Sequence, residues 1–433
     1  MKLVWIFIIL NFMFFNDPCK CQGEIPEFPF AFRPIPTGPV ALSLGGTSIS
    51  NLDDPLLAIQ NPALLSMISK SQFTISIYSA VHKEISNIDH DNYHGEDSRN
   101  IEEFRFNYVG LSWPFQLFSM KMGAAISYYP AFTFDRLVVL NQQDNNALTD
   151  NRRWEFSQKG YMSATSLSYG IKLFPQCSLG VSWNLWLDDL FDNHWEQTTM
   201  MNGIRQNGQV HFVEFHKKLQ SHEISGSNFT LGIVWDISKH LHVGAIVKTR
   251  QSNEITSHTV QQYGFKQNQP NVDPIISGVN NFQIPMKWGI GVSYSFFDNC
   301  TALMDFQQIN WGKLHYRQAQ NTSHFISGHQ EDIYQDLRVH LINLGTVFRS
   351  NHKIGPFAPV FRMGFLMCTD RGSVHPEPDS AIGFGLGLKG KRLDFNIGFQ
   401  YQKYMDLSQQ VMQDGLLINS IRNNVIEFSV TLK

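Results

Sequence analysis

Cysteine is almost missing from this sequence, with five in 433 residues, and Cys19 and Cys21 both fall in an apolar-led amino-terminal stretch. The other three, Cys177, Cys300 and Cys368, are odd in number and scattered, which excludes a disulfide framework. No CxxC or His/Cys spacing points to zinc. Charge is scarce too, at 16% of residues, and the formal net charge of -3 gives no basic footprint for nucleic acid. After Phe15 there is no apolar run long enough for a spanning helix. No Ser/His/Asp grouping sets a base beside a nucleophile, so the residues offer no catalytic centre, and no cofactor is implied.

What is abundant is aromatic. Phe, Trp and Tyr make up 13% of the chain, with 34 Phe, yet Asn, Gln, Ser and His keep the mean hydropathy at -0.20. Such a mixture suits a wall that is apolar on one side and wet on the other.

The chain opens with one charge, Lys2, then an apolar run from Leu3 to Leu10 that resumes at Phe12 to Phe15, then polar and small residues. This predicts a secretory signal peptide over 1–21 and a mature start near Gln22. Neither Cys19 nor Cys21 follows the small and aliphatic residues of a lipoprotein signal, and the run is short for a membrane anchor.

The dominant periodicity is 2. Leu393, Phe395, Ile397, Phe399 and Tyr401 alternate with Asp394, Asn396, Gly398, Gln400 and Gln402, and Ile426, Phe428, Val430 and Leu432 with Glu427, Ser429 and Thr431. Fourteen such segments are predicted, near 72–80, 103–113, 119–129, 159–173, 178–188, 223–236, 241–255, 282–296, 300–311, 337–349, 356–368, 380–389, 391–403 and 423–432. Connections between them alternate between long polar ones, such as 81–102 and 189–222, and brief turns, such as 174–177 and Gly390. That asymmetry fits an all-β, 14-stranded antiparallel transmembrane barrel in a bacterial outer membrane. Residues 71–433 form the barrel in this reading, with Phe395, Ile397 and Phe399 toward lipid and Asp394, Asn396 and Gln400 toward the lumen. In one strand Phe104, Phe106 and Tyr108 are in phase but Val109, Leu111 and Trp113 are not, which predicts a bulge near Tyr108 and Val109.

Before the first strand, DDPLLAIQNPALLS (53–66) puts Asp54 and Asn61 directly before Pro55 and Pro62, each pair followed by apolar residues. These are N-cap and first-turn signatures of two very short helices. Residues 22–70 are therefore predicted to be a small helical plug inside the barrel.

The segment GPVALSLGGTSISNLDDPLLAIQNPALLS (38–66) resembles the amino-terminal plug of FadL-type outer-membrane transporters, with Gly45, Gly46, Asp53, Asp54, Asn61, Pro62 and Ala63 at matching positions. Further along, 305–314, 282–296, 361–367 and 375–388 are similar to pieces of that family in the same order. The chain departs from it in ending Thr431-Leu432-Lys433 rather than on an aromatic residue. PorV-type barrels of a secretion system share the plug pattern, and they leave open a role in binding partner proteins. The FadL resemblance implies a monomeric barrel that passes hydrophobic molecules such as long-chain fatty acids, with a possible sideways exit through the wall. Its partners would be that ligand and the surrounding lipid and lipopolysaccharide. Leu56, Leu64, Trp186 and Arg362 are the candidates for a ligand path, with Arg362 expected to pair with Asp305 or Asp394 or to meet a ligand carboxylate.

Two motifs have plain alternatives. GLGLKG (385–390) matches GxGxxG but lies inside an alternating strand with no helix after it, which removes the dinucleotide context. DHDNYHGED (89–97) gathers ligand types for a divalent cation, and reads as a solvated external loop or as an ion bridge to lipopolysaccharide.

Overall fold

The computed structural model describes residues 33–36, 38–52, 54, 56–90, 93–143, 151–187, 193–207, 210–265, 271–272, 275–317, 323–324, 337–369, 377–404, 409–412 and 415–433. The expected leader, Asp53 and Pro55 lie outside this set, as do the side chains of 86–97.

Fourteen antiparallel strands close into a barrel. They are β1 Gln72–His90, β2 Tyr93–Leu117, β3 Met120–Thr133, β4 Asn151–Phe174, β5 Cys177–Trp186, β6 Val210–Asp236, β7 Leu241–Lys248, β8 Lys287–Phe297, β9 Cys300–Asn310, β10 Arg338–Arg349, β11 Ala358–Cys368, β12 Ser380–Lys389, β13 Leu393–Tyr404 and β14 Gly415–Leu432. Each pairs with its neighbours in sequence, and β14 closes on β1 from Leu432 opposite Phe73 to Leu416 opposite Asp89. Closure satisfies the backbone within lipid. Among the described residues no helix is long and apolar enough to cross a membrane.

The period-2 pattern places the faces as the sequence predicts. Ile397, Phe399, Ile426 and Phe428 are exposed on the outside, while Asp394, Asn396, Gln400 and Glu427 are buried inside. Strand β8 has 11 residues. At about 3.3 Å per residue and a tilt near 45° that length crosses about 25 Å, the height of a barrel's apolar band.

The long connections differ from expectation. Residues 81–102 are largely the upper halves of β1 and β2, paired as far as His90 opposite Tyr93. Strand β6 likewise continues upward between the segments His194–Asn207 and Gln251–Phe265. Above the bilayer the outward face meets water instead of lipid, so Thr, Gln, His and Lys serve there and the hydrophobic alternation fades while strand pairing persists.

The phase slip in β2 is a bulge at Asn107, one residue before the predicted place. Ser76 pairs with Tyr108 and Ile77 with Phe106, so Asn107 and Tyr108 both turn into the lumen, where both are buried.

The described wall is interrupted in several places, two of them beside an inner cavity. Strands β2 and β3 pair only from Leu117–Met120 up to Val109–Tyr128. Higher up, β3 instead pairs with the amino-terminal segment, Thr133 with Arg33 and Phe132 with Pro34, and the Ile35 amide donates to the Ala131 carbonyl at 2.8 Å. The second interruption lies between β7 and β8. Their ladder ends at Lys248 opposite Lys287 and resumes at Gln251 opposite Ile284, leaving Thr249-Arg250 across from Pro285-Met286. Pro285 has no N–H to give to a ladder, which suits it to this gap.

Candidate functional site

The described amino-terminal residues fold inside the barrel. Helix α1 (Pro39–Ser43), helix α2 (Leu57–Gln60) and the 3-10 turn Pro62–Met67 are each one or two turns long. Turns this short do not hold in isolation, and here the caps and the wall hold them. Asp54 Oδ1 accepts from the Leu56 amide at 3.0 Å, and Asn61 Oδ1 accepts from the Ala63 amide at 3.2 Å, with Pro62 in the first turn where no donor is lost. The Asn61 amide group also donates to the Ile49 carbonyl at 2.8 Å and to Ile233 of β6 at 3.3 Å.

The wall answers from several directions. Asp305 of β9 accepts from the Ser48 and Ile49 amides at 2.7 and 3.0 Å. Gln400 of β13 donates to the Leu42 carbonyl at 3.1 Å, and Ser182 of β5 to Ala58 at 3.0 Å. Gly45 and Gly46 have φ of 65° and 91°, the left-handed region that glycine tolerates. Gly45 also touches the wall so closely that a Cβ would sit 2.5 Å from the Phe365 backbone. On the wall, a Cβ at Gly364 would lie 1.9 Å from the Leu44 carbonyl carbon. Gly45 and Gly46 thus lie against the wall, while Asp54 and Asn61 cap the turns that follow, with Pro62 and Ala63 opening the second of them.

Above this plug lies an apolar cluster containing Leu56, Tyr129, Trp186, Ile284, Ile309 and Trp311. A cavity of about 170 Å³ opens within it, lined by Tyr129, Phe132, Trp186, Trp311, Gln60, Lys248 and Lys287 among others. A second chamber of about 150 Å³ also touches Gln60, Lys248 and Lys287. The wall occupies the polar atoms of two of these rings: Trp186 Nε1 donates to Asn228 at 3.1 Å, and the Tyr129 hydroxyl to Asn184 at 3.4 Å. The ring faces remain to line an apolar space. Lys248 and Lys287, opposite each other in register, line both chambers together with Glu377, so that two cations stand there against one carboxylate.

The four path residues part company. Trp186 lines the first cavity and Leu56 packs in the cluster around it. Leu64 is sealed between Ala63 and Val234 of β6. Arg362 is buried on the periplasmic side of α1, against Gly387. Asp305 is bonded to the plug, and Asp394 pairs with Lys433 at 2.6 Å.

Two features escaped the sequence reading. One is the lysine pair. The other is a buried ionic group above the bulge, where Glu103 meets His82 at 2.7 Å, Arg105, and Arg33 at 3.9 Å. Beside it Arg136 pairs with Glu84 at 2.9 Å, and Asn107 donates to the Pro36 carbonyl at 2.9 Å. His82 and Glu84, like Glu103 and Arg105, are spaced by two, a strand-face signal carried by charge instead of by hydrophobicity. Among the described residues no group of His, Cys, Asp or Glu is disposed to hold a metal.

By fold the protein is similar to several solved barrels. A Pseudomonas aeruginosa FadL homologue superposes with a TM-score of 0.61 at 11% identity, over 93% of this chain and 99% of the other. The Pseudomonas putida toluene transporter TodX gives 0.59 at 13% identity, over 92% and 98%. The Ralstonia pickettii toluene transporter TbuX gives 0.52 at 14%, also over 92% and 98%. A sequence search among curated proteins gives no match. The lipid-facing belt, the closed wall and this FadL-like architecture identify an outer-membrane barrel. The BamG family model matches residues 40–421, most of the chain, and the protein therefore belongs to the BamG family.

Proposed function

We propose that this barrel facilitates passage of a hydrophobic compound across the outer membrane, with no bond made or broken. The observation that carries this reading is the aromatic-lined cavity above the plug, with Lys248 and Lys287 at its side. An apolar body with an anionic end, such as a long-chain fatty acid, matches the aromatic lining with its chain and the two lysines, which outnumber the single Glu377 carboxylate, with its head. Ligand pockets are commonly about 300–1,000 Å³, so the chamber of about 170 Å³ takes only part of such a chain. Passage then requires the plug or its flanking segment to shift. Sideways exit would use the split between β2 and β3, where Arg33 to Pro36 stand in the place of a wall partner. In the same reading residues 1–21 are a cleaved leader, residues 22–70 the plug and the chain a monomer. The toluene transporters TodX and TbuX share the fold, which lends support to a transport role.

The test is equilibrium binding of a radiolabelled long-chain fatty acid to the purified full chain. Saturable binding weakened by Trp186→Arg supports the proposal, and binding indifferent to that change refutes it.

A second reading, a barrel that binds partner proteins, draws on the extended wall above the bilayer, where Val272, Ile275, Ile276 and Val279 are exposed. It predicts stable co-purification of a surface protein in mild detergent, lost on Ile276→Asp.

A further inference from the structure

The break between β7 and β8 has an outer side as well as an inner one. Outside lies a cleft of about 640 Å³, lined by Thr249, Arg250, Pro285, Met286, Trp288, Gln308, Asn310, Lys313 and Arg338. Its orientation follows from strand phase. Ile290 and Met304 are exposed to lipid, so Trp288, Gln308 and Asn310 share their outward face, while Gln307 and Ile309 are buried inward. Thr249 and Pro285 line both this cleft and the inner cavity and form the partition between them.

The level is equally defined. Strand β8 runs from Phe297 at the periplasmic turn up to Lys287, so Trp288 stands at the upper rim of the apolar band, where barrels carry their aromatic girdle. The cleft thus opens at the headgroup level of the outer leaflet.

Its chemistry is one-sided. Arg250 comes from the wall break, Lys313 from the turn Trp311–Lys313 after β9, and Arg338 from the start of β10, and no carboxylate is among the lining residues. Three cations gathered from three elements at a membrane interface match a phosphate group better than a single carboxylate. A guanidinium offers phosphate a planar pair of donors. Beside Arg250 stands Met286, and below the cations the surface continues apolar through Ile290 and Met304, each about half exposed, which gives acyl chains a track down the wall. We infer that this cleft binds the phosphorylated headgroup of an outer-leaflet lipid.

The experiment is native mass spectrometry of the full chain in mild detergent with three probes: diphosphorylated lipid A, the same lipid stripped of its phosphates, and inorganic phosphate. The inference expects lipid A to be retained, the stripped lipid to bind roughly tenfold more weakly, and inorganic phosphate to compete poorly. Arg250→Gln with Lys313→Gln should lower lipid A retention to the level of the stripped lipid, while Lys313→Arg keeps it. Equal retention of lipid with and without phosphate overturns the assignment, as does retention unchanged in the double variant. Displacement of lipid A by equimolar inorganic phosphate overturns the lipid part. The wild-type arms decide the matter even if a variant fails to insert.

Discussion

Asp305 Oδ2 accepts hydrogen bonds from both the Ser48 and the Ile49 amide, at 2.7 and 3.0 Å, and so ties the plug to the middle of β9. These amides lie where the plug passes between α1 and α2, and both residues are buried. Removing the acceptor leaves two buried donors unmet, at a cost of about 1–3 kcal/mol each at most. Asp305→Ala should therefore loosen the plug while the barrel still forms. Limited proteolysis of folded protein reads this directly: cleavage within residues 38–66 should rise in Asp305→Ala and return toward wild type in Asp305→Asn.

Gly364 faces the plug backbone with no room for a methyl group, since a Cβ would meet the Leu44 carbonyl carbon at 1.9 Å. Overpacking of this kind costs about 1–3 kcal/mol, and main chain cannot swing aside as a flexible side chain does. Gly364→Val should displace α1 from its seat. Single-channel recording in planar bilayers should show added conductance for this variant, whereas Gly278→Val, at a position with open space around it, should leave conductance unchanged.

The lysine pair separates charge from shape. Lys248→Gln with Lys287→Gln should weaken binding of a fatty acid by roughly tenfold, the loss of about one charge-assisted hydrogen bond. A neutral hydrocarbon of similar length should be unaffected. Trp186→Ala should weaken both ligands. Competition binding with the acid and the hydrocarbon distinguishes these outcomes.

Above the bilayer, His222 stacks on Trp195 with ring centroids 4.2 Å apart and meets Ser257 Oγ at 2.7 Å. Burial, with a smaller push from Lys218, holds its pKa down to about 3, against an ordinary 6.5. The folded extension keeps the ring neutral while the unfolded chain takes up a proton below 6.5. Stability is thus unaffected above that pH and falls as pH drops toward 3, by at most about 1.4 kcal/mol per unit. Melting followed by tryptophan fluorescence should shift downward between pH 7.5 and 5, and His222→Gln should shrink the shift.

Much of the wall was legible because lipid enforces a strict alternation: Phe395 to Gln402 could be assigned to faces residue by residue. The plug was legible through backbone chemistry, since Asp54, Asn61 and Pro62 have few other reasons to stand in that order. The upper wall was not, because water accepts polar residues on an outward strand face and Tyr93 to Glu102 therefore read as loop. The lysine pair was hidden for another reason. Lys248 and Lys287 meet only through the β7–β8 register, which runs unshifted across the break at Pro285 and which alternation alone does not fix.

The most direct test of the account is uptake of a radiolabelled long-chain fatty acid by cells whose outer membrane carries wild-type protein, the Lys248→Gln, Lys287→Gln variant, or none. Transport through the lumen predicts fastest uptake with wild type, slower uptake with the variant and the slowest with none, at equal amounts of inserted barrel. Equal rates in all three would contradict it.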